Sequence, residues 1–248
     1  MKKRQQADDN LAGSMLYAYC LPEWRRVLEA QQEIRRIKKG RTIFCEGEPV
    51  TGVFFICSGK VKIHQPWGED KELIIRFAAE NDMIGYRGLG KTRVHPVTAT
   101  ALENTVCCFI PADLFEATLQ VNARFTYELM HFYADELQET ERRMRDMAHM
   151  EVKGRVAATL LMLRDKFKTN RHGHLNVVLT RQDMASYAGT TYETFFRAMN
   201  ELLKEKLIRV SGKAIVLLRP EQLAVLADTG RLRKSKPGKA GIKRPAQK

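Results

Sequence analysis

The chain has little cysteine, little tryptophan and no long apolar run, and each shortage removes a class of protein. Five of its 248 residues are cysteine (Cys20, Cys45, Cys57, Cys107 and Cys108), and no two form a C-x-x-C pair. An odd number without metal-ligand spacing argues against a disulfide framework and against a zinc site. Cys45, Cys57, Cys107 and Cys108 fall in strand-like runs, where a thiol packs as a small buried hydrophobe. No stretch approaches the roughly 18 apolar residues that cross a bilayer, and no apolar signal core follows Lys2, Lys3 and Arg4. A cytoplasmic protein with no membrane partner is expected. Catalytic signatures are also missing: no nucleophile stands with a base, no metal ligands cluster, and no glycine loop opens a helix around a phosphate. The chain is not expected to be an enzyme.

Acid is absent from one end. From Arg231 to Lys248 there are eight Lys or Arg and no Asp or Glu, so of the formal net charge of +13 only +5 rests on the remainder. That segment, with its prolines and glycines, reads as a disordered basic tail. It acts either as a phosphate-attracting arm or as a solubilising terminus, and composition alone does not choose. Before it, 44% hydrophobic content is enough for two small domains with cores of their own.

The most informative stretch is Thr180 to Leu203 (TRQDMASYAGTTYETFFRAMNELL). Ala185 stands four before Gly189, a spacing that lets one helix cross the next at a steep angle around a glycine turn. A second helix beginning near Thr191 would present Thr191, Tyr192, Glu193, Phe196 and Arg197 to solvent, and turn Met184, Ala188 and Phe195 inward. Any pair of antiparallel helices can show this pattern, so the flanks matter. Leu207 to Leu218 is two β-prone runs joined by Ser211-Gly212-Lys213, a hairpin directly after the second helix. Glu151 to Phe167 is an amphipathic helix upstream. Together they spell a winged helix-turn-helix, and duplex DNA is the expected partner.

The first half has another texture. Short apolar runs at Thr42–Cys45, Val53–Cys57, Lys60–His64, Leu73–Ala78, Val97–Leu102 and Val106–Ile110 are separated by glycine- and proline-bearing turns, the pattern of a compact β-roll. Leu11 to Arg36 reads as largely amphipathic helix. From Ala112 to His149 the chain is expected to be helical, with Met130, Tyr133, Leu137, Thr140, Met144 and Met147 recurring in steps of three and four. An ordinary surface helix can carry such a stripe, but nearly three heptads exceed what one small domain covers, so a parallel homodimer is expected.

In this order, F-C-E-G-E-P at Phe44–Pro49, F-F-I-C-S-G-K-V-K at Phe54–Lys62, V-K-G-R-V-A-A-T-L-L at Val152–Leu161 and the helix-turn-helix resemble the Crp/Fnr superfamily of bacterial transcription regulators. The resemblance runs from about Leu16 to Asp228. It implies an α+β chain: a sensor β-roll like a cyclic-nucleotide-binding domain (1–120), a dimerisation helix (121–149) and a winged helix-turn-helix (150–228), followed by the tail (229–248). It further implies a homodimer whose recognition helices read two-fold related half-sites roughly 34 to 36 Å apart, with RNA polymerase as a further partner. Glu193 and Arg197 match the family's base-reading pair. An arginine can fork onto guanine O6 and N7, and a glutamate can accept from cytosine N4. Tyr192 and Phe196 replace smaller or charged family residues, and Phe196 either presses on a thymine methyl or faces the core. Thr180, Arg181, Gln182, Thr191 and Thr194 match positions that resemble phosphate contacts.

At the effector site the chain departs from those relatives. Cyclic-nucleotide members resemble F-G-E-x-x-L followed by R-S-A, with the glutamate on the ribose and the arginine on the phosphate. Here the stretches are Ile84-Gly85-Tyr86-Arg87-Gly88-Leu89 and His95-Pro96-Val97-Thr98-Ala99. Without the arginine a buried phosphate loses a charge-assisted contact of about 1.5 to 3 kcal/mol. Cyclic AMP is therefore not expected as cofactor. Arg87 or Arg93 is the possible substitute, and Gly85, Tyr86, Thr98 and Thr140 complete the candidate pocket for an unknown small effector. An iron–sulfur site is not expected, because only Cys20 precedes Cys45. Nor is haem, because the six histidines (His64, His95, His131, His149, His172, His174) have no spacing that separates a ligand from a surface polar residue.

Overall fold

The computed structural model describes residues 11–68 and 71–232, with side chains to residue 228. Ser14 opens α1 (Met15–Tyr19), its hydroxyl accepting the Tyr17 N–H at 3.2 Å, and Pro22 opens α2 (Pro22–Gln31), where a missing N–H costs nothing. The helix expected to reach Arg36 stops at Gln31. Glu33–Ile37 is instead β1, an edge strand paired antiparallel with β8 (Thr105–Pro111). Its E-I-R-R-I pattern suits either structure, and the available sheet edge decides.

Between them run β2 (Thr42–Phe44), β3 (Gly52–Ser58), β4 (Lys60–Trp67), β5 (Lys71–Ala79), the two-residue β6 (Met83–Ile84) and β7 (Thr98–Ala101). They form two four-stranded antiparallel sheets, ordered β1-β8-β3-β6 and β2-β7-β4-β5. Phe44, Phe54, Ile56, Ile63, Val97 and Phe109 fill the space between the sheets. This is the expected β-roll. Cys57, Cys107 and Cys108 are buried in it, and burial pushes the Cys107 thiol up to about 12. Cys45 departs from expectation. It lies just past the end of β2 and is exposed. Two histidines depart as well, since His64 and His95 are buried rather than surface residues.

The segment expected as one helix is two, α3 (Ala112–Val121) and α4 (Ala123–His149). Buried Asn122 breaks it: its side chain accepts from the Leu21 N–H at 2.8 Å and donates to the Thr118 carbonyl at 3.0 Å. An asparagine bonded locally in this way competes with the helix ladder. After α4 come α5 (Val152–Phe167), α6 (Arg181–Tyr187), α7 (Tyr192–Lys204), the wing strands β9 (Ile208–Ser211) and β10 (Ala214–Leu217), and α8 (Pro220–Leu232). Helix α8 packs against α5, so residues 229–232 of the expected tail continue a helix, and the rest of that tail lies outside the described residues. Val156, Leu160, Met184, Phe195, Leu202 and Ile215 form the core of the second unit, and Ile74 and Phe77 of β5 belong to the same cluster. The roll is thus seated on the helix-turn-helix chiefly through β5. Among the described residues no helix is long and apolar enough to cross a membrane.

Candidate nucleic-acid interface and effector cavity

Helix α6 begins with a capping box. The Thr180 hydroxyl accepts the Asp183 N–H at 2.9 Å, and the Asp183 carboxylate accepts the Thr180 N–H at 3.1 Å. Gly189 then makes the turn with φ +63, a left-handed conformation that favours glycine, and a Cβ there would stand 3.2 Å from Met147 Cε. Thr191 caps α7 through the Thr194 N–H. The burial of α7 follows its sequence pattern: Phe195, Met199 and Leu202 are buried, while Tyr192, Glu193, Phe196 and Arg197 are exposed. Phe196 thus faces solvent and not the core, which closes one of the two readings of that residue.

The residues matched to phosphate contacts surround this face unequally. Thr180, Gln182 and Thr191 are exposed, and Thr194 is half-buried with its hydroxyl accepting from Arg197 at 3.3 Å. Arg181 is half-buried and donates to the Gly212 carbonyl in the wing turn at 3.3 Å. It joins the helix-turn-helix to its wing.

Sequence reasoning missed what holds this unit in place. Ser186 Oγ accepts the Ile74 N–H at 3.0 Å and donates to the Glu72 carbonyl at 2.5 Å, so α6 caps the free edge of β5. Lys62 Nζ lies 2.9 Å from Asp183 Oδ1 and also pairs with Glu72, which His64 Nδ1 meets at 2.7 Å. Arg143 of α4 donates to the carbonyls of Ile74 (3.1 Å), Ile75 and Tyr187 (3.0 Å), so one guanidinium ties the long helix, the roll and the helix-turn-helix together. Arg155 of α5 joins the end of the long helix to the helix-turn-helix, donating to Met150 O at 2.7 Å and Ala188 O at 2.9 Å. Sequence spacing cannot reveal the contacts between the roll and the helix-turn-helix, because those partners are distant along the chain.

A cavity of about 750 Å³ lies between the roll and α4, and Tyr187 of α6 also reaches its wall. Of the predicted pocket residues, Tyr86, Arg87 and Thr140 line it. Gly85, with φ +86, borders a smaller void inside the roll together with His95, whose ring stacks on Phe44 at 4.0 Å. Arg93 and Thr98 stand apart from both spaces. Arg93 pairs with Glu116 on α3, and the buried Thr98 hydroxyl accepts the Glu46 N–H at 3.0 Å.

Two residues of the large cavity that the sequence reading did not single out, Arg76 and Glu136, meet the predicted Arg87 there. Arg76 of β5 and Arg87 both meet the Glu136 carboxylate of α4, at 3.4 and 2.9 Å, and the Tyr86 hydroxyl donates to the same group. Burial pushes that hydroxyl up to about 12, so it remains a donor. Of the arginines that line the cavity, Arg76 and Arg87 thus share one carboxylate, and Arg143 donates to backbone carbonyls. A lone Arg76 in the apolar run L-I-I-R-F-A-A was the one signal the sequence offered.

The expected seam is split. Met130, Leu137 and Met144, seven residues apart, are 58%, 60% and 65% exposed and make an unpartnered stripe along α4. Tyr133 donates to the Tyr86 carbonyl at 3.0 Å, Thr140 donates to the Glu136 carbonyl at 2.8 Å, and Met147 lies against Gly189. Those three are engaged within their own chain.

Comparison with known proteins agrees with this architecture. Residues 34–122 match the cyclic nucleotide-binding domain, and residues 154–226 match the Crp-like helix-turn-helix domain. A CRP-like cAMP-activated global transcriptional regulator of Mycobacterium tuberculosis is 27% identical over 219 residues, covering 88% of this chain and 98% of its own. The transcriptional activator protein Anr of Pseudomonas protegens is 29% identical over 196 residues, covering 78% and 80%. The structure of FixK2 from Bradyrhizobium japonicum superposes with a TM-score of 0.71 at 24% identity, covering 79% and 96%. A cyclic-nucleotide-binding-like roll, a long helix and a winged Crp-like helix-turn-helix in one chain, shared with such relatives, place this protein in the Crp/Fnr family of DNA-binding transcription regulators.

Proposed function

We infer that the protein acts as a homodimer that binds a two-fold related operator and regulates transcription there with RNA polymerase, and that its effector pocket no longer takes cyclic AMP in the family's usual way. The exposed face of α7 carries the reading: Glu193 and Arg197 lie on solvent, one helical turn apart, above a buried face that fixes the helix. Thr180, Gln182, Thr191 and Thr194 flank it in the role of backbone contacts that set register. The stripe Met130, Leu137 and Met144 supports the dimer, because an apolar seam of this kind is buried by a second helix.

The mycobacterial relative is named as cAMP-activated. In this chain Arg76 and Arg87 face Glu136, so a cyclic phosphate entering between them would meet a carboxylate already in place. Selection of bound sites from random duplex DNA, with and without a pool of small metabolites, tests the reading. Recovery of a palindromic site with half-sites about one helical turn apart is expected. Recovery of no enriched sequence in either arm would overturn it.

A further inference from the structure

Two aromatic rings lie where a recognition helix meets DNA. Tyr192 and Phe196 are one turn apart at the start of α7, 43% and 50% exposed, with ring planes 12° apart and centroids at 6.3 Å. The other large apolar residues of α7 turn to the core: Phe195, Met199 and Leu202 are buried and Leu203 packs half-buried against them. The two rings are therefore not surplus core. They form an apolar patch of near-parallel rings beside Glu193 and Arg197, the residues read above as base contacts.

What such a patch can recognise is narrow. Base edges in the major groove offer donors and acceptors almost everywhere, and the one apolar group is the 5-methyl of thymine. A ring separation of 6.3 Å spans nearly two base-pair steps of about 3.4 Å each. We propose that Tyr192 and Phe196 form a methyl-reading plate that selects a 5-methylpyrimidine in each half-site, next to the pair read by Glu193 and Arg197. This rests on the reading of α7 as the recognition helix and adds the class of base that its aromatic side accepts. It also means that 5-methylcytosine, which carries the same methyl, is preferred to cytosine at that position, so binding there responds to cytosine methylation.

The experiment uses the full-length protein and a duplex carrying its selected site, with each thymine replaced in turn by deoxyuridine, which lacks only the methyl. Loss of one buried methyl corresponds to about fourfold in affinity per half-site and about fifteenfold when both half-sites are changed. That loss is expected at one or two thymines per half-site, and with a cytosine–guanine pair built at the sensitive position, 5-methylation of that cytosine should raise affinity. In Phe196→Ala, and in Tyr192→Ala where that ring lies over the methyl, thymine and deoxyuridine should bind alike at the sensitive position. Phe196→Leu, which keeps an apolar side chain, should retain part of the discrimination. Both rings are exposed, so the variants leave the core of α7 intact, and unchanged thermal unfolding checks this. If the unmodified protein binds its selected site with no sensitivity to deoxyuridine at any thymine, the plate faces something other than base methyls and the proposal is wrong, while the DNA-binding reading stands. If no site is selected, the recognition-helix reading fails first, and this proposal with it.

Discussion

Single residues separate what patterning reveals from what only folding assembles. Glu193 and Arg197 were legible because both lie on one helix, four apart, and a helix presents such a pair together whatever the rest of the molecule does. Arg197→Ala should cost about 1 to 3 kcal/mol on the operator and relax preference at one base pair per half-site, with non-specific binding changing less. Equal loss on operator and random duplexes, measured side by side, would remove its base-reading role. Glu136, Arg76 and Arg87 are the opposite case. Residues 60 apart in sequence meet at 3.4 Å because the roll packs on α4, and no spacing rule announces that. Arg93 was expected near the pocket for its sequence proximity to Arg87, yet the chain turns and delivers it to Glu116. With Arg76 and Arg87 held by Glu136 and Arg143 committed to backbone carbonyls, titration calorimetry should detect no cyclic AMP binding tighter than about millimolar, worth only about −4 kcal/mol. Micromolar binding that raises operator affinity would mean that Glu136 yields its partners to the phosphate.

At the level of elements, periodicity carried the reading well where an element packs on one neighbour and poorly where two solutions share a pattern. The helix-turn-helix and its wing sit where the sequence places them, since capping residues Thr180 and Thr191, Gly189 at positive φ and the β-prone hairpin all act locally. Strand β1 was read as helix because its charged and apolar residues suit both, and pairing with β8 settled the matter from outside the segment. The break at Asn122 depends on a contact with Leu21, again from outside. The stripe on α4 is half local and half not. Tyr133, Thr140 and Met147 were absorbed by their own chain, leaving Met130, Leu137 and Met144 outward. Leu137→Lys would set two like charges against each other in the proposed apolar seam and should dissociate the dimer, lowering operator affinity with it. Sedimentation at micromolar concentration decides, and a variant that remains dimeric would move the interface elsewhere.

Across the whole molecule the question is how the β-roll and the helix-turn-helix unit are held together. The seat is the β5 edge, where Ser186 replaces a neighbouring strand, Arg143 binds three carbonyls, and Lys62 bridges Glu72 of the roll to Asp183 of the helix-turn-helix. Asp183 also caps α6, so the same carboxylate that starts the first helix of the helix-turn-helix anchors it to the roll. Burial alone would push the Glu72 carboxyl up, but hydrogen bonds from His64 and Lys62 outweigh it and hold the group down at about 2. A carboxyl depressed in the folded state adds stability above its unfolded value, near 4.5, and that contribution is lost as pH falls toward about 2. Glu72→Gln removes the charge while keeping the shape, so the stability difference between the two proteins should be greatest above about pH 5 and shrink steadily below it. Chemical denaturation across that range measures the difference. If Glu72 clamps the two units together and does not merely stabilise the roll, the variant should also show faster amide exchange at Ile74, whose N–H is held by Ser186 across the seat. A constant difference at all pH values, with exchange at Ile74 unchanged, would mean that Lys62 and Asp183 hold the units together without Glu72.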